Sequence, residues 1–191
     1  MIEIPLTQGK TAIVDDEDSY LLEGRKWQVS REGKDTSRSW YAIQGKRPRI
    51  RMHRCIVEHM LNRPLRFGEL IDHINHNGLD NRRSNLRIAT AAENQHNARL
   101  MNTPKSSRYK GVTWNKHAKQ WKASIRVKGR RDYLGHFRSE EDAAKAYNIA
   151  AEKYFGEFAE INEGVLYNPE TDGWIERLPG GPGLFLREMQ D

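Results

Sequence analysis

The residues best suited to chemistry lie close together between positions 70 and 97. This stretch is rich in His, Asn and Asp, and it contains Asp72-His73, Asn85 and Asn94. A hydrophobic core has no need of such a set. Carboxylate and amide oxygens are ligands for hard cations, and a neutral imidazole takes a proton from water near pH 7. The stretch is therefore the candidate for a site that holds a metal ion and activates a water molecule.

The pattern of this stretch predicts a strand, a loop, a second strand and a helix. Residues 70–74 alternate as a short strand does, and 86–89 form the second strand. Between them, His76-Asn77-Gly78 has turn chemistry, with Gly78 able to take a positive φ. Thr90-Ala91-Ala92-Glu93 has the spacing of a capping box, so a helix should start at Thr90 and carry Asn94.

The same stretch resembles the HNH (ββα-metal) nucleases, in particular the phage and intron-encoded homing endonucleases. The resemblance rests on Asp72-His73, Asn81-x-x-x-Asn85-Leu86-Arg87 and Glu93-Asn94-x-x-Asn97. It implies that Asp72 is a metal ligand and His73 the general base. It also implies that Asn85 spans the loop and orients the His73 imidazole, and that Asn94 supplies the second metal ligand.

The helix position departs from many members of that family, which carry His where this chain has Asn94. One carboxylate and one amide oxygen form a hard, weak site suited to Mg²⁺ or Mn²⁺ and not to Zn²⁺. The alternative is a polar hairpin whose Asn and Asp residues only satisfy turn backbone. That alternative explains each residue taken singly, but it does not explain the whole set at this spacing.

Composition limits the classes of protein to which the chain can belong. Its 191 residues suffice for one ordinary domain or two small ones, and its net charge of +6 indicates a polyanionic partner. The single cysteine, Cys55, excludes a disulfide partner within the chain and a multi-cysteine zinc site. The absence of a signal-like segment or an 18-residue apolar run predicts a cytoplasmic protein with no membrane partner. The resemblance to phage nucleases implies that the cell is a bacterial or phage-infected host.

The first 52 residues predict short strands. Residues 2–4 and 11–14 are the clearest strands, and a short helix should run from Asp15 to about Leu22. The acidic run at positions 15–18 suits the positive end of that helix, and a metal site is the less favoured alternative. Three aromatic residues are interpreted as packed strand residues and not as platforms for base stacking: Trp27, Trp40 and Tyr41.

A basic run follows, from Lys46 to Arg54, with no acid among its residues. On a strand, Arg47, Arg49 and Arg51 would share one face and contact DNA phosphates. A solvated face is an equally good interpretation. A short helix is expected from Arg54 to about residue 61, and His53 is interpreted as structural, with a phosphate contact as the alternative.

The sequence predicts a second domain after a linker at 102–107, where Pro104 ends the preceding helix. Residues 108–162 predict three strands and a helix capped by Ser139. The fold class is therefore α+β. A small ββα-metal nuclease domain within residues 1–101, with its core at about 68–98, precedes a three-stranded antiparallel sheet packed on one helix. Residues 163–191 are expected to be a C-terminal tail, to which the sequence gives no role.

This second segment resembles the plant ethylene-response-factor (Apetala-type) DNA-binding domain. The resemblance rests on Tyr109-Lys110-Gly111-Val112, Trp121-x-Ala123-x-Ile125-Arg126, Tyr133-Leu134-Gly135-x-Phe137, Ala143-Ala144-x-Ala146-Tyr147 and Phe155-Gly156. It implies a sheet that lies in the major groove. The residues expected to face DNA are Lys110, Thr113, Asn115, Lys122, Ser124, Arg126 and Tyr133.

Three of those positions differ from the plant pattern. Thr113 and Asn115 stand where the plant domains often have arginine, and Ser124 replaces an acid. The DNA site that plant factors prefer therefore does not transfer to this chain. The alternative interpretation is a generic basic domain of similar architecture.

Together, the two resemblances predict a metal-dependent, site-specific DNA endonuclease of the homing type that acts on double-stranded DNA. The competing hypothesis is a non-cleaving DNA-binding regulator, which would need none of the set Asp72, His73, Asn85 and Asn94. An RNA-binding protein is less favoured, because the faces expected to be exposed lack an aromatic stacking signature. One active site per chain favours nicking by a monomer, and a weak homodimer would supply a second site.

Overall fold

The computed structural model describes residues 1–32, 39–46, 48–97 and 106–165. Two compact α+β units divide the chain, Met1–Gln95 and His96–Asp191. Arg47, most of the predicted linker and the tail beyond Val165 lie outside the described residues. Among the described residues, no helix is long and apolar enough to cross a membrane.

The first unit begins with two small antiparallel sheets. Strands β1 and β2 form a hairpin in which Ile2 pairs with Val14. A three-stranded sheet follows, in the order β3-β4-β5. The bounds of these strands are β1 Ile2–Pro5, β2 Thr11–Val14, β3 Gln28–Glu32, β4 Ser39–Gln44 and β5 Ile50–Arg51. The strands predicted at 2–4 and 11–14 are confirmed, and the predicted helix after them is a 3₁₀ helix over Asp16–Leu21.

The rest of the first unit carries the candidate site. Helix α1 spans Met52–Leu61, and a hairpin of β6 (Leu70–His73) and β7 (Leu86–Ala89) leads into α2 (Ala91–His96). The capping box forms in both directions: the Thr90 hydroxyl accepts from the Glu93 N–H at 3.3 Å, and the Glu93 carboxylate accepts from the Thr90 N–H at 2.7 Å. The predicted order of strand, loop, strand and helix is confirmed.

One hydrophobic core joins these elements of the first unit. It takes buried side chains from the first hairpin, from the second sheet, from α1 and from β7, and each large one stabilises the fold by about 1.5–3 kcal/mol. Its buried members are Ala12, Val14, Leu22, Trp27, Ala42, Met52, Ile56, Val57 and Leu86. Helix α1 therefore packs between the hairpin that carries the candidate site and the N-terminal strands.

The second unit is a three-stranded antiparallel sheet packed on one helix, as predicted. Strands β8 (Val112–Asn115), β9 (Gln120–Val127) and β10 (Arg130–Phe137) lie in the order β10-β9-β8. Helix α3 spans Glu140–Phe155, and the Ser139 hydroxyl caps it by accepting from the Asp142 N–H at 3.2 Å. Sequence alternation at period two and the capping residue are local signals, which explains why they predicted these elements.

The core of the second unit extends to Val165, three residues beyond the predicted end of the domain. The Asn148 side chain donates to the carbonyl oxygens of Asn162 and Val165, both at 3.0 Å. Gly111 is required on the other side of this core: a Cβ there would lie 1.9 Å from Cδ2 of the Tyr147 ring. These contacts pack the helix against the sheet.

Candidate functional site

The β6–β7 hairpin places Asp72 directly opposite Arg87. The Asp72 carboxylate accepts from Arg87 Nη2 at 2.7 Å and from Nε at 2.9 Å, and both side chains are largely buried. The predicted metal ligand therefore already has a cationic partner within the hairpin.

His73 follows Asp72 on the strand and is also buried. Its Nε2 lies 3.4 Å from Oδ1 of Asn81. The Asn81 amide has a fixed orientation, because its Nδ2 donates to the Leu79 carbonyl at 3.1 Å and contacts Met52 Sδ at 3.5 Å. Oδ1 is an acceptor, so Nε2 carries the proton and Nδ1 is the basic nitrogen of the ring.

Asn85 spans the loop, as the sequence indicates, but it acts on the loop backbone. Its Oδ1 accepts from the Asn75 N–H at 3.0 Å, and its Nδ2 donates to the Asp80 carbonyl at 2.7 Å. The expected hydrogen bond from Asn85 to the His73 ring is thus replaced by the one from Asn81. Asn85 is a short buried side chain whose donor and acceptor are both engaged by the loop, which accounts for the difference.

The loop between the two strands corrects the expectation for Gly78. His76, not Gly78, takes the left-handed conformation, with φ of 62°. Gly78 is instead required for close packing, because a Cβ there would lie 2.4 Å from the Trp40 carbonyl oxygen and 2.7 Å from the Tyr41 ring. The loop therefore packs directly against β4.

The acidic run near the N-terminus anchors the hairpin. Asp18 is fully buried and accepts from Arg83 Nε at 2.8 Å and Nη2 at 2.7 Å. The Asp15 carboxylate accepts from the Arg83 backbone N–H at 2.8 Å. These carboxylates thus bind an arginine between β6 and β7, a role that neither interpretation of the acidic run included.

Two rings, those of His53 and Tyr41, pack beside the candidate base His73. The ring centroids of His53 and His73 are 5.1 Å apart, and the Tyr41 centroid lies 5.6 Å from His53 and 5.8 Å from His73. A cleft of about 320 Å³ opens next to this cluster. Its lining residues are Glu32, Tyr41, Arg51, His53, Leu70, Ile71 and Asn94. The helix residue Asn94 and the ring of His53 therefore border the same cleft.

Burial controls the charge of both histidines. It lowers the pKa of His53 to about 3, with smaller contributions from electrostatic interactions with His73, Arg51 and Arg54. Burial also lowers the pKa of His73, against the opposing effects of the Asn81 hydrogen bond and of Asp72 and Asp80. Both rings are neutral at pH 7, which is the state that a general base requires.

The lowered pKa of His53 makes the stability of the fold depend on pH. Its pKa in the folded protein lies below its value in the unfolded chain, so the unfolded chain binds more protons as the pH falls below about 6.5. The free energy of unfolding should therefore fall by on the order of 2–3 kcal/mol between pH 7 and pH 4.5 through this residue. Urea unfolding at both pH values measures the loss.

Carboxylates that lose their ion pairs in acid also lower the stability, and two histidine variants separate their contribution from that of His53. His53→Phe should reduce the acid-induced loss by about the stated amount. His59→Phe, at an exposed position of α1, should leave it unchanged. An equal loss in wild type and His53→Phe would contradict the assignment.

The chemistry of the donor set fits a hard divalent ion. Asp72 and Asn94 offer one carboxylate and one amide, which suit Mg²⁺ or Mn²⁺. Within the described ranges, no group of three or more His, Cys, Asp or Glu side chains could hold a metal ion. A cation bound by these two residues would therefore need further oxygens from water or from a substrate phosphate.

The predicted DNA-facing residues of the second unit differ in accessibility. Thr113, Arg126 and Tyr133 are exposed, whereas Asn115, Lys122 and Ser124 are half-buried. Lys110 is also half-buried: its Nζ donates at 2.7 Å to the carbonyl of His96, the first residue of the second unit, and burial lowers the pKa of Lys110 to about 8.

A hydrogen-bonded network on this surface includes a residue that the sequence did not single out, His136. Asn115 Oδ1 accepts from the backbone N–H groups of His117 and Ala118, at 3.1 and 3.2 Å. Its Nδ2 therefore donates to His136 Nε2, at 2.9 Å. The His136 Nδ1–H then donates to the Tyr133 hydroxyl at 2.5 Å, so that hydroxyl presents its own hydrogen to a further acceptor.

Arg49 and Arg51 of the basic run both approach an acid at the end of β3. Arg51 lies 2.8 Å from the Glu32 carboxylate, and Arg49 lies 3.6 Å from it. Both side chains remain about half exposed. Arg47 lies outside the described residues, and β5 contains only Ile50 and Arg51. The expected strand face of three arginines is therefore shorter than the sequence suggested.

Comparison with known proteins assigns the chain to the same class of protein that the β6–β7 hairpin, helix α2 and their polar residues indicate. The family model described as HNH endonuclease matches residues 51–96. The uncharacterized HNH endonuclease L560 of Acanthamoeba polyphaga mimivirus is 31% identical over 156 residues, which are 82% of this chain and 76% of that protein. The chain therefore belongs to the HNH endonuclease family, and membership implies a phosphodiester hydrolase.

Two further relatives match parts of the chain. Protein 3.8 of Escherichia phage T7 is 38% identical over 82 residues, 42% of this chain and 63% of that protein. The AP2-like ethylene-responsive transcription factor PLT2 of Arabidopsis thaliana is 49% identical over 90 residues, 44% of this chain and 16% of that protein. No solved structure matches the chain. Both resemblances identified from sequence motifs are confirmed.

Proposed function

We propose that the protein is a metal-dependent, site-specific DNA endonuclease of the homing type. The observation that carries this proposal is the pair Asp72-His73 on β6, with Nε2 of the buried His73 fixed by Asn81. A binding protein gains nothing from a buried neutral histidine next to an aspartate, whereas a hydrolase needs a positioned base. Membership of the HNH endonuclease family supports the proposal.

In this proposal, Nδ1 of His73 takes the proton of the attacking water. Asn81 holds the opposite side of the ring, and the nearby negative charges of Asp72 and Asp80 stabilise the imidazolium that forms. Asp72 and Asn94 would hold Mg²⁺ or Mn²⁺. When bound, that ion would neutralise the scissile phosphate and stabilise the leaving 3′ oxygen. Asn85 keeps the loop closed through its two backbone hydrogen bonds.

The test of this function is cleavage of a library of supercoiled plasmids carrying phage or bacterial DNA, with Mg²⁺, with Mn²⁺ and with excess chelator. We expect metal-dependent products with discrete ends. Nicked circles would indicate one cut strand per event, and linear DNA would indicate a dimer that contributes two sites. Binding without any cleavage would favour the competing hypothesis of a non-cleaving regulator.

The second unit is proposed to be the DNA-reading part, with its exposed sheet face in the major groove. It has its own core, and that face carries basic and hydrogen-bonding side chains. A nuclease hairpin that contacts phosphates carries little sequence information, so a separate reader supplies the site preference.

A fragment of residues 104–165 should fold alone and bind DNA without cutting it. Each phosphate contact should add about 0.9 to the slope of log affinity against log salt concentration, and Arg126→Ala should lower that slope by about one contact. Circular dichroism and fluorescence anisotropy at several salt concentrations measure folding and binding. Lys153→Ala, on helix α3, is the control and should leave the slope unchanged. An unfolded fragment, or a flat salt dependence, would argue against this assignment.

A further inference from the structure

A second histidine, His53, lies beside the proposed base and has no part in the chemistry described so far. It sits in the first turn of α1 and is 8% exposed. Its Nδ1 is buried without a hydrogen-bond partner among the described residues. An unpaired buried polar atom costs about 1–3 kcal/mol, and such an atom in a native protein calls for a physical explanation.

The position of the ring suggests that explanation. It packs edge to face on His73 and borders the cleft that Asn94 also lines. Because Nδ1 is the buried nitrogen, Nε2 is the nitrogen that a group in the cleft can reach. Unpaired buried N–H groups are rarer than unpaired acceptors, so Nδ1 carries the lone pair and Nε2 the proton.

We propose that His53 is a phosphate-binding residue of the nuclease site, which donates its Nε2–H to a non-bridging oxygen of the scissile phosphodiester. This inference rests on the proposed endonuclease function. It explains why an imidazole with an unpaired nitrogen is kept at a cleft beside the base. It also gives the cleft that Asn94 lines a hydrogen-bond donor from α1.

The charges around the cleft favour a neutral donor at this position. A cation at 5.1 Å from His73 would oppose the imidazolium that forms when His73 accepts a proton. Burial keeps His53 uncharged, and Glu32 neutralises Arg51 in the same cleft. A neutral N–H can contact the phosphate without lowering the basicity of its neighbour.

Substitutions separate the donor from the ring. His53→Phe keeps the edge-to-face packing and removes both nitrogens, whereas His53→Gln keeps an N–H donor and removes the ring. Because a hydrogen bond to a charged group is among the stronger ones, single-turnover cleavage by His53→Phe should be about 10- to 100-fold slower than that of wild type. The rate of His53→Gln, which keeps a donor, should lie within about fivefold of wild type. If His53→Phe fails to fold by circular dichroism, His53→Leu replaces it. A purely structural role predicts the reverse order, with Phe active and Gln impaired.

Phosphorothioate substrates provide a readout that packing alone does not move. Sulfur is a poor hydrogen-bond acceptor, so replacing the contacted oxygen should slow wild type with one of the two diastereomers. In His53→Phe, the extra penalty for that diastereomer should disappear. The phosphate contact would be overturned if sulfur slowed cleavage equally in both proteins. It would also be overturned if replacing Mg²⁺ with Mn²⁺ restored the cleavage rate of His53→Phe.

The wild-type protein with unmodified DNA distinguishes the two levels of inference. If it cleaves with Mg²⁺ or Mn²⁺ while His53→Phe cleaves equally fast, the phosphate contact is wrong and the endonuclease proposal stands. If wild type cleaves no DNA with either ion, the endonuclease proposal fails, and the role of His53 fails with it.

Discussion

Replacing His73 with alanine should lower the rate of DNA cleavage by roughly two to four orders of magnitude and leave DNA affinity near the wild-type value. The ring is buried, its Nε2 is fixed by Asn81, and its pKa is lowered by burial, so it is a neutral base at pH 7. Its removal takes away the proton acceptor while the phosphate-contacting surfaces remain. Single-turnover cleavage and equilibrium binding, measured with the same duplex, separate the two effects.

The control for this experiment is His59→Ala, since His59 is an exposed histidine of α1 whose ring nitrogen bonds the Tyr20 hydroxyl at 2.9 Å. That variant should cleave like wild type. Asn81→Ala should show a smaller loss than His73→Ala, because it releases the ring without removing the base. Cleavage by His73→Ala within threefold of wild type would remove His73 from the catalytic role.

The elements that carry the candidate site were predictable because their signals are local. Residues 70–74 alternate as a strand does, and Thr90 to Glu93 form a capping box that depends on a spacing of three. Both features act within a few residues, so the sequence shows them directly. The same reasoning explains the three strands and the helix of the second unit.

The partners of the site residues were not predictable in this way, because they come from distant parts of the chain. His53 and Tyr41 meet His73 through contacts between α1, β4 and β6. Arg83 is held by an acidic run 65 residues or more before it. No spacing rule connects such positions, since the contacts depend on how separate elements pack.

Within the motif, the sequence does not distinguish which asparagine contacts the His73 ring. Asn81 and Asn85 both belong to the sequence motif, and only the structure shows that Asn81 reaches the His73 ring while Asn85 closes the loop. For Asn75, Asn77 and Asn85, the interpretation as turn-satisfying residues is correct, since each side chain bonds loop backbone. Identical side chains a few residues apart therefore contact the His73 ring and the loop backbone, respectively.

The Asp72–Arg87 ion pair leads to the second large effect, which concerns the metal. Asp72 and Asn94 offer one negative charge between them, and Arg87 already balances that charge in the DNA-free protein. Mg²⁺ loses its water reluctantly and usually needs phosphate oxygens to complete its shell. The free protein should therefore bind Mg²⁺ with a dissociation constant on the order of millimolar, and more tightly once DNA is bound.

Three substitutions test this account. Asp72→Ala should abolish cleavage with either Mg²⁺ or Mn²⁺, because it removes the charged ligand. Asn94→Asp should retain some activity and bind the free ion more tightly, since it adds a charge at the same reach. Arg87→Gln should also tighten ion binding in the absence of DNA, provided that circular dichroism shows a folded protein, because it releases the Asp72 carboxylate from a competing cation.

Calorimetric titration of the DNA-free proteins with Mg²⁺ and Mn²⁺ measures these differences directly. The order of affinity should be Asn94→Asp and Arg87→Gln above wild type, and wild type above Asp72→Ala. A buried carboxylate that loses its arginine partner attracts another cation, so the rise in Arg87→Gln depends on Asp72 and should vanish in the double variant Asp72→Ala/Arg87→Gln. Micromolar binding by wild type that persists in Asp72→Ala would show that the ion binds elsewhere in the protein.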